Sequence, residues 1–283
     1  MTQEAERILY QCKSRSDIED LSDEDKEKVR EGYPVGLLTD SNVFILGKNE
    51  KGNARTCTDT CKFYIFNLPQ GPMFSCPFAT RICRESCYQI GPERMIQKEG
   101  RNSPTVYRRK RNLLESLRDD FAETMIEIIN RKKTGQKDVY IRIHASGDFY
   151  SEEYLLKWIE ISQAIKASHP EYNFTAYTKS VNYLKSVLTD HKDKLDEIFR
   201  KYGFEPLPSY TVNDLNIHFI GSVMDDTAQS QIDLMKELGL KLYIVTGNET
   251  PDLVDCEHVD CVNCMLCYDP GYEEDVRTRL RIG

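Results

Sequence analysis

The sequence has no apolar run that approaches the roughly 20 residues needed to cross a membrane, so no membrane span is predicted. It also has no excess of basic residues, since 38 Lys and Arg stand against 46 Asp and Glu and the net charge is −8. This balance argues against broad, non-specific attraction to nucleic acid. Residues 1–7 carry neither the basic nor the apolar region of a secretory signal, so we expect a cytoplasmic protein.

Cysteine, in contrast, is abundant, with ten residues in a chain of 283. A chain of this length can build its core without disulfides, and in a reducing cytoplasm clustered cysteines favour metal ligation. Four cysteines near the C-terminus have the spacing C-x4-C-x2-C-x2-C: Cys256, Cys261, Cys264 and Cys267. Short gaps of this kind recur in loops around iron–sulfur clusters, so a [4Fe–4S] cluster is predicted. Zinc is the alternative, although structural zinc sites usually separate two C-x2-C pairs by a longer loop.

A second group of five cysteines lies in the N-terminal third of the chain: Cys57, Cys61, Cys76, Cys83 and Cys87. A closed site needs four thiolates, so either one of the five is a free buried thiol or three of them hold a cluster with an open iron. We favour Cys76, Cys83 and Cys87 as ligands, ahead of Cys57 and Cys61. Proline and glycine interrupt this stretch, which predicts an irregular metal-binding lobe over residues 53–100 rather than part of a sheet.

From residue 139 onward, short apolar strands alternate with helical segments, over 139–144, 174–178, 217–223 and 242–246 for the strands. This order predicts parallel strands joined by right-handed crossovers. We therefore predict an α/β fold, either a partial (β/α) barrel or an open parallel sheet, with an N-terminal cysteine-rich lobe and a C-terminal cysteine loop. The predicted units are 1–52 (helices and a hairpin), 53–100 (the lobe), 101–250 (the α/β core) and 251–283 (the cysteine loop and tail).

Polar residues follow each predicted strand, at the edge of the sheet where active sites form in such folds. The residues that we assign to catalysis are His144, Asp148, Tyr177 and Lys179, and those that we assign to cofactor binding are Ser146, Ser222 and Asn248. Each has a plainer interpretation: a core histidine, a helix cap, a packed tyrosine or an exposed lysine. Their convergence on one edge of the sheet is what favours a site.

A basic run lies in residues 101–133, which the helical spacing of apolar residues predicts to be one long helix that begins at Pro104. Arg108, Arg109 and Arg111 are either a solvated helix face or a local contact to the phosphates of nucleic acid.

Several separated motifs together resemble a bacteriophage family known as gene product 88, whose members are often likened to radical SAM enzymes. They are Ser75-Cys76-Pro77 with Cys83 and Cys87, the run from Arg142 to Tyr150, Trp158, the run from Phe174 to Lys179, and the closing C-x2-C-x2-C. The resemblance implies an iron–sulfur redox enzyme with one or two [4Fe–4S] clusters that uses S-adenosylmethionine. Two alternatives stay open: a zinc-stabilised nucleic-acid-binding protein without catalytic activity, and an iron–sulfur nucleic-acid-processing protein that does not use S-adenosylmethionine. The substrate and the oligomeric state are left open.

Overall fold

The computed structural model describes residues 2–32, 38–39, 61–87, 104–132, 138–247, 254–255 and 275–279. The predicted hairpin in residues 35–46 lies outside this part of the chain except for residues 38–39. The cysteines Cys57, Cys256, Cys261, Cys264 and Cys267, together with Asn248, also lie outside the described residues.

The eight strands found in the described residues form one sheet in the order β1-β2-β3-β4-β5-β6-β8-β7. Their bounds are β1 Leu38–Thr39, β2 Cys61–Phe66, β3 Asp138–Ile143, β4 Tyr172–Thr178, β5 Ile217–Met224, β6 Lys241–Thr246, β7 Val254–Asp255 and β8 Val276–Arg279. All neighbours pair in parallel except β1, which runs antiparallel to β2. Among the described strands, β1 and β7 are the two edges and do not pair with each other, so the sheet is open. The predicted parallel α/β fold is confirmed, and the barrel alternative is not shown.

Helices precede the sheet and connect its strands. They are Gln3–Gln11, Arg15–Glu19, Asp23–Gly32, Arg81–Glu85, Pro104–Ser116, Phe121–Asn130, Glu152–Ser168, Val181–Asp190, Lys192–Lys201 and Gln229–Glu237. The predicted helix start at Pro104 is confirmed, but the predicted single helix over 101–133 is wrong, because residues 117–120 break it into two. No helix in the described ranges is long and apolar enough to span a lipid bilayer.

Strands β2 to β6 lie side by side in the order of the chain. Because right-handed crossovers between consecutive neighbours all pass over the same face, the connecting helices cover one side of the sheet. The burial of β3 reflects this, since Val139, Ile141 and Ile143 are fully buried while Tyr140 and Arg142, which point to the other face, are half-buried. The helix-covered face therefore carries the apolar core, and the opposite face carries polar side chains.

Aromatic side chains fill the space between the sheet and its helices. Trp158 is fully buried and contacts Phe66 and Phe121 edge-to-face, with ring centroids 5.2 and 5.9 Å away. The helix that carries Trp158 is capped by Ser151, whose hydroxyl accepts a hydrogen bond from the Tyr154 amide. This packing holds β2 and β3 beneath the helices and so fixes where their carboxyl ends emerge.

Strand β2 corrects one prediction directly. Residues 53–100 were expected to form an irregular lobe, but Cys61–Phe66 is a strand of the sheet, paired in parallel with β3. The cysteines Cys76, Cys83 and Cys87 lie in the segment that follows this strand. The segment is therefore a connection that emerges from the carboxyl end of β2, and not a separate lobe over its whole predicted length.

Candidate functional site

A cavity of about 410 Å³ opens at the carboxyl ends of β3, β4, β5 and β6. Six of the seven residues that the sequence assigned to catalysis or cofactor binding line it: His144, Ser146, Asp148, Tyr177, Lys179 and Ser222. The seventh, Asn248, lies outside the described residues. The structure thus brings together side chains that are up to 78 residues apart in the chain, from His144 to Ser222.

The loop after β3 forms the floor of this cavity and is held by hydrogen bonds to the loop after β2. The Asn67 carboxamide oxygen accepts hydrogen bonds from the Ala145 and Ser146 amides, each at 2.9 Å. The Ser146 hydroxyl donates to the Leu68 carbonyl, also at 2.9 Å. Asn67, Leu68 and Ser146 are buried, so these hydrogen bonds satisfy polar groups that water does not reach. They also fix the loop after β3 to the loop after β2. Ser146 is therefore occupied in positioning the backbone.

Gly147 lets the two loops approach closely. Its φ is +92°, and a Cβ atom there would lie 2.6 Å from the Ser75 Oγ and 2.7 Å from the Leu68 Cβ. The next residue, Asp148, donates its amide hydrogen to the Ser75 carbonyl at 3.2 Å. Only glycine adopts this backbone conformation where there is so little space for a side chain. Gly147 therefore allows the segment that carries the cysteines to pack against the loop after β3.

Asp148 is buried, and three donors satisfy its carboxylate. One oxygen accepts from the Thr178 hydroxyl at 2.6 Å and from the Phe149 amide at 2.8 Å, and the other accepts from the Lys179 amide at 2.8 Å. Burial raises the pKa of Asp148, and these hydrogen bonds oppose that rise. The carboxylate thus links the ends of β3 and β4. The plainer interpretation of Asp148 as a helix cap is wrong, because Ser151 caps the helix that follows.

Lys179 is 8% exposed and extends along the cavity wall. Its ammonium nitrogen donates to the Ser222 hydroxyl at 2.7 Å. This bond joins the end of β4 to β5. The predicted alternative of a solvent-exposed lysine is wrong, because more than nine-tenths of the residue is buried.

Tyr177 and Tyr243 provide an aromatic wall on the same cavity. Their rings meet edge-to-face with centroids 5.2 Å apart, and the Arg142 guanidinium lies 4.4 Å from the Tyr177 centroid. The three side chains come from β4, β6 and β3, on the face of the sheet that the helices leave uncovered. A cation over an aromatic ring at this distance is an attractive contact, which orders the wall.

His144 lies at the inner edge of the cavity and has a positive φ of 64°. Its ring is 2% exposed, contacts Phe149 and accepts or donates a 2.8 Å hydrogen bond between Nε2 and the Tyr154 hydroxyl. Nδ1 has no hydrogen-bond partner among the described residues. Burial, with the positive charge of Arg142 as a smaller cause, lowers the pKa of His144 to about 3. The ring is therefore neutral near neutral pH.

Cys76, Cys83 and Cys87 line the same cavity, and each side chain is half-buried. The helix that carries Cys83 is capped by Thr80, whose hydroxyl accepts from the Cys83 amide, and the Ile82 amide donates to the Asp226 carboxylate at 2.8 Å. Burial and the negative charge of Asp148 raise the pKa of the Cys76 thiol to about 12. The cysteine segment is thus attached to the rim of the sheet through Ser75 and Ile82.

The two remaining cysteines of the predicted N-terminal group, Cys61 and Cys57, are not among the residues that line the cavity in the described part of the chain. Cys61 is the first residue of β2, so the length of the strand, about 17 Å, separates its backbone from the loop that follows. Cys57 lies outside the described residues. Within the described ranges, no three His, Cys, Asp or Glu side chains are arranged to hold a single metal ion.

The basic run on the helix Pro104–Ser116 is largely interior. Arg109 and Arg111 are 3% and 4% exposed, Arg109 donates to the Gln70 side chain at 3.2 Å, and Arg111 pairs with Glu115 at 2.5 Å. The predicted phosphate contact is therefore wrong for these two arginines, because neither reaches solvent. Arg108 alone of the three is exposed. The intervening Lys110 donates to the carbonyls of Leu9 and Cys12, at 2.7 Å each, at the end of the first helix.

Three residues important to the site were assigned no role in it from the sequence: Asn67, Arg142 and Tyr243. Arg142 and Tyr243 lie within apolar strands, where a polar residue at alternate positions marks the face away from the helices. That alternation was a usable signal. No sequence signal pointed to Asn67, because its role depends on the approach of a loop 78 residues further along the chain.

These features define an α/β protein with an open parallel sheet and a polar, cysteine-lined cavity at the carboxyl ends of its strands. The sequence pattern of the family described as Gene product 88 matches residues 41–196, which is more than half of the chain. The chain belongs to this family, and the predicted family resemblance is confirmed.

Two curated relatives come from mycobacteriophages. The Gene 88 protein of Mycobacterium phage L5 is 24% identical over 209 residues, which cover 71% of this chain and 80% of the relative. The Gene 88 protein of Mycobacterium phage D29 is 25% identical over 211 residues, with the same shares of the two chains. No solved structure matches the chain. The comparisons support a bacteriophage family and do not extend to radical SAM enzymes.

Proposed function

We propose that the protein is an iron–sulfur redox enzyme in which Cys76, Cys83 and Cys87 hold a [4Fe–4S] cluster beside the substrate cavity. The observation that carries this proposal is that all three thiols line one 410 Å³ cavity together with Asp148 and Lys179. A volume of this size is typical of small-molecule sites.

The donor set fits a cluster better than a single ion. Thiolates are the usual ligands of [4Fe–4S] clusters, and three of them leave one iron open toward the cavity. A single zinc ion requires its ligands to converge on one point, and no such group occurs in the part of the chain that the structure describes. The C-terminal cysteines Cys256, Cys261, Cys264 and Cys267 are the proposed ligands of a second cluster.

When bound, such a cluster supplies one-electron chemistry, and the residues of the chain would prepare the substrate. Lys179 and Ser222 bind polar groups of the substrate from one wall. Asp148 holds the ends of β3 and β4 in position through its three hydrogen bonds. His144 is neutral and anchored to Tyr154, so we assign it a positioning role rather than the transfer of a proton.

Anaerobic purification with iron, sulfide and zinc measured on the same sample tests the proposal. We expect a brown protein with about four irons and four sulfides per chain for each cluster. Serine substitution of Cys76, Cys83 or Cys87 should each remove the iron of one cluster. Cys12→Ser is the matched control, because Cys12 is buried and does not line the cavity. A colourless, zinc-containing protein, or variants with unchanged iron, would overturn the proposal.

We propose S-adenosylmethionine as the co-substrate, in line with the resemblance found in the sequence. Addition of S-adenosylmethionine to the iron-loaded protein should change its visible absorbance, because a ligand to the open iron alters the electronic structure of the cluster. An unchanged spectrum would leave an iron–sulfur protein that does not use S-adenosylmethionine.

A further inference from the structure

We infer that Lys179 and Ser222 form an oxyanion subsite, and that the cavity takes a small molecule that carries a phosphate or carboxylate next to a flat ring. This inference rests on the proposed function, because it names the substrate class of the same cavity. It is argued from side chains other than the cysteines, so it can be tested separately.

The first argument is the environment of the Lys179 charge. The residue is 8% exposed, and its Nζ has one hydrogen-bond acceptor among the described residues, the Ser222 hydroxyl at 2.7 Å. An ammonium group has three donors, and buried charges in proteins are normally paired. No carboxylate in the described ranges lies within ion-pair distance of this nitrogen. The side chain lines the cavity, so an anionic group bound there would supply the missing partner.

The second argument is that Asp148 is not available as that partner. Its two oxygens already accept from the Thr178 hydroxyl and from the amides of Phe149 and Lys179. It is the Lys179 amide, and not the ammonium, that bonds to the carboxylate. The backbone bond instead fixes the start of the lysine side chain, so that Nζ is directed to the Ser222 side of the cavity.

The third argument concerns the rest of the ligand. Tyr243 pairs with Ser222 across β5 and β6, and Tyr177 precedes Lys179 by two residues at the end of β4. Both rings are half-buried and line the cavity. Aromatic side chains beside an oxyanion subsite favour a ligand whose flat ring packs on them, and stacking of a ring on tyrosine contributes to binding without requiring a particular ring.

Calorimetric titration with two matched pairs of probes tests the inference. Adenosine 5′-monophosphate and adenosine differ by a phosphate, and indole-3-acetate and 3-methylindole differ by a carboxylate. We expect the charged member of at least one pair to bind at least about 10-fold more tightly than its neutral partner. Lys179→Met should weaken the charged probe by about 10- to 100-fold and leave the neutral one unchanged, because only the charge-assisted bonds are lost.

Two further variants serve as controls. Ser222→Ala should weaken the same charged probe by about 3- to 10-fold, which reports on the subsite even if Lys179→Met does not fold. Lys185→Met removes a lysine whose side chain is 45% exposed and pairs with Glu237 on the helical side, so it should bind the probes as the wild type does.

The outcomes separate this inference from the proposed function. Iron-loaded protein that binds the charged and neutral probes equally, or binds none of the four, overturns the oxyanion subsite and leaves the cluster proposal intact. Iron-free wild-type protein whose preference for the charged probe disappears in Lys179→Met overturns the cluster proposal and supports the subsite. The phosphate and carboxylate pairs show which of the two oxyanions the cavity accepts.

Discussion

Single residues in the loop after β3 determine the shape of the cavity. His144 and Gly147 both have positive φ, and each is enclosed by side chains from other elements. The loop therefore depends on backbone conformations that few residues adopt. Even a small change of side chain at these positions should destabilise the fold.

His144 should make the stability of the protein depend on pH. The unfolded chain binds a proton on this residue below its ordinary pKa of 6.5, but the folded chain does so only near the lowered pKa of about 3. The free energy of unfolding should therefore fall as the pH falls through this window, by up to about 1.4 kcal/mol per pH unit. Urea denaturation between about pH 7 and about pH 5 measures this slope.

The matched variants for this prediction are His144→Asn and His169→Asn. Asparagine tolerates positive φ, so His144→Asn removes the titrating ring without adding backbone strain. We expect this variant to lose the part of the slope that belongs to His144, and His169→Asn, at a more exposed position, to retain it. An identical slope in wild type and His144→Asn would contradict the assignment.

Gly147→Ala should destabilise the protein by about 2–4 kcal/mol, because the new methyl group meets Ser75 and Leu68 and the backbone is strained at positive φ. Gly203→Ala is the control, since Gly203 also has positive φ but has no atom within 4 Å of the added Cβ. That variant should lose only about 1 kcal/mol. Equal losses in thermal or urea unfolding would show that the close approach of the two loops is not the cause.

At the scale of elements, a buried carboxylate docks the N-terminal helices on the core. Glu115 is 3% exposed, accepts a hydrogen bond from Arg30 of the third helix at 3.1 Å and forms an ion pair with Arg111 one turn earlier at 2.5 Å. Lys110 adds two bonds to the carbonyls at the end of the first helix. Basic residues that resembled a nucleic-acid contact in the sequence thus hold helices together, which the run alone could not reveal because burial depends on what packs above it.

Glu115→Gln should therefore lower the free energy of unfolding by about 3 kcal/mol, because the buried Arg111 and the partly exposed Arg30 would both lose their anion. Glu127→Gln provides the comparison, since its pair with Arg131 is exposed and should contribute less than about 1 kcal/mol. Denaturant unfolding of both variants at the same pH measures the difference. Similar losses of unfolding free energy in the two variants would show that the buried ion pair contributes no more to stability than the exposed one.

At the scale of the whole molecule, the alternation of strands and helices after residue 139 predicted the parallel sheet and the edge on which its polar residues meet. Hydrophobic periodicity carries that information locally. Strand β2 was missed although Phe63 to Phe66 is a run of aromatic and branched residues, because the nearby cysteines suggested an irregular loop. The cavity itself was only partly predictable, since Arg142 and Tyr243 join it through pairing between strands.

The proposed cluster predicts that removal of iron lowers the thermal stability of the whole protein. A cluster on Cys76, Cys83 and Cys87 would bind the folded chain and not the unfolded one, so its loss shifts the equilibrium toward unfolding. We expect the iron-loaded protein to unfold at a higher temperature than the chelator-treated protein, with a smaller difference in Cys76→Ser, which would keep only the cluster on the C-terminal cysteines. A melting temperature that is independent of iron in the wild type would count against a cluster held by the fold.

The order of the strands also bears on how the chain folds during synthesis. From β2 to β6, each new strand pairs with the strand translated just before it. A growing chain can therefore extend the sheet one strand at a time from its N-terminal side, without waiting for a distant segment to insert between strands already paired. Among the strands of the described residues, β8 is the exception, because it must enter between two strands translated before it, β6 and β7.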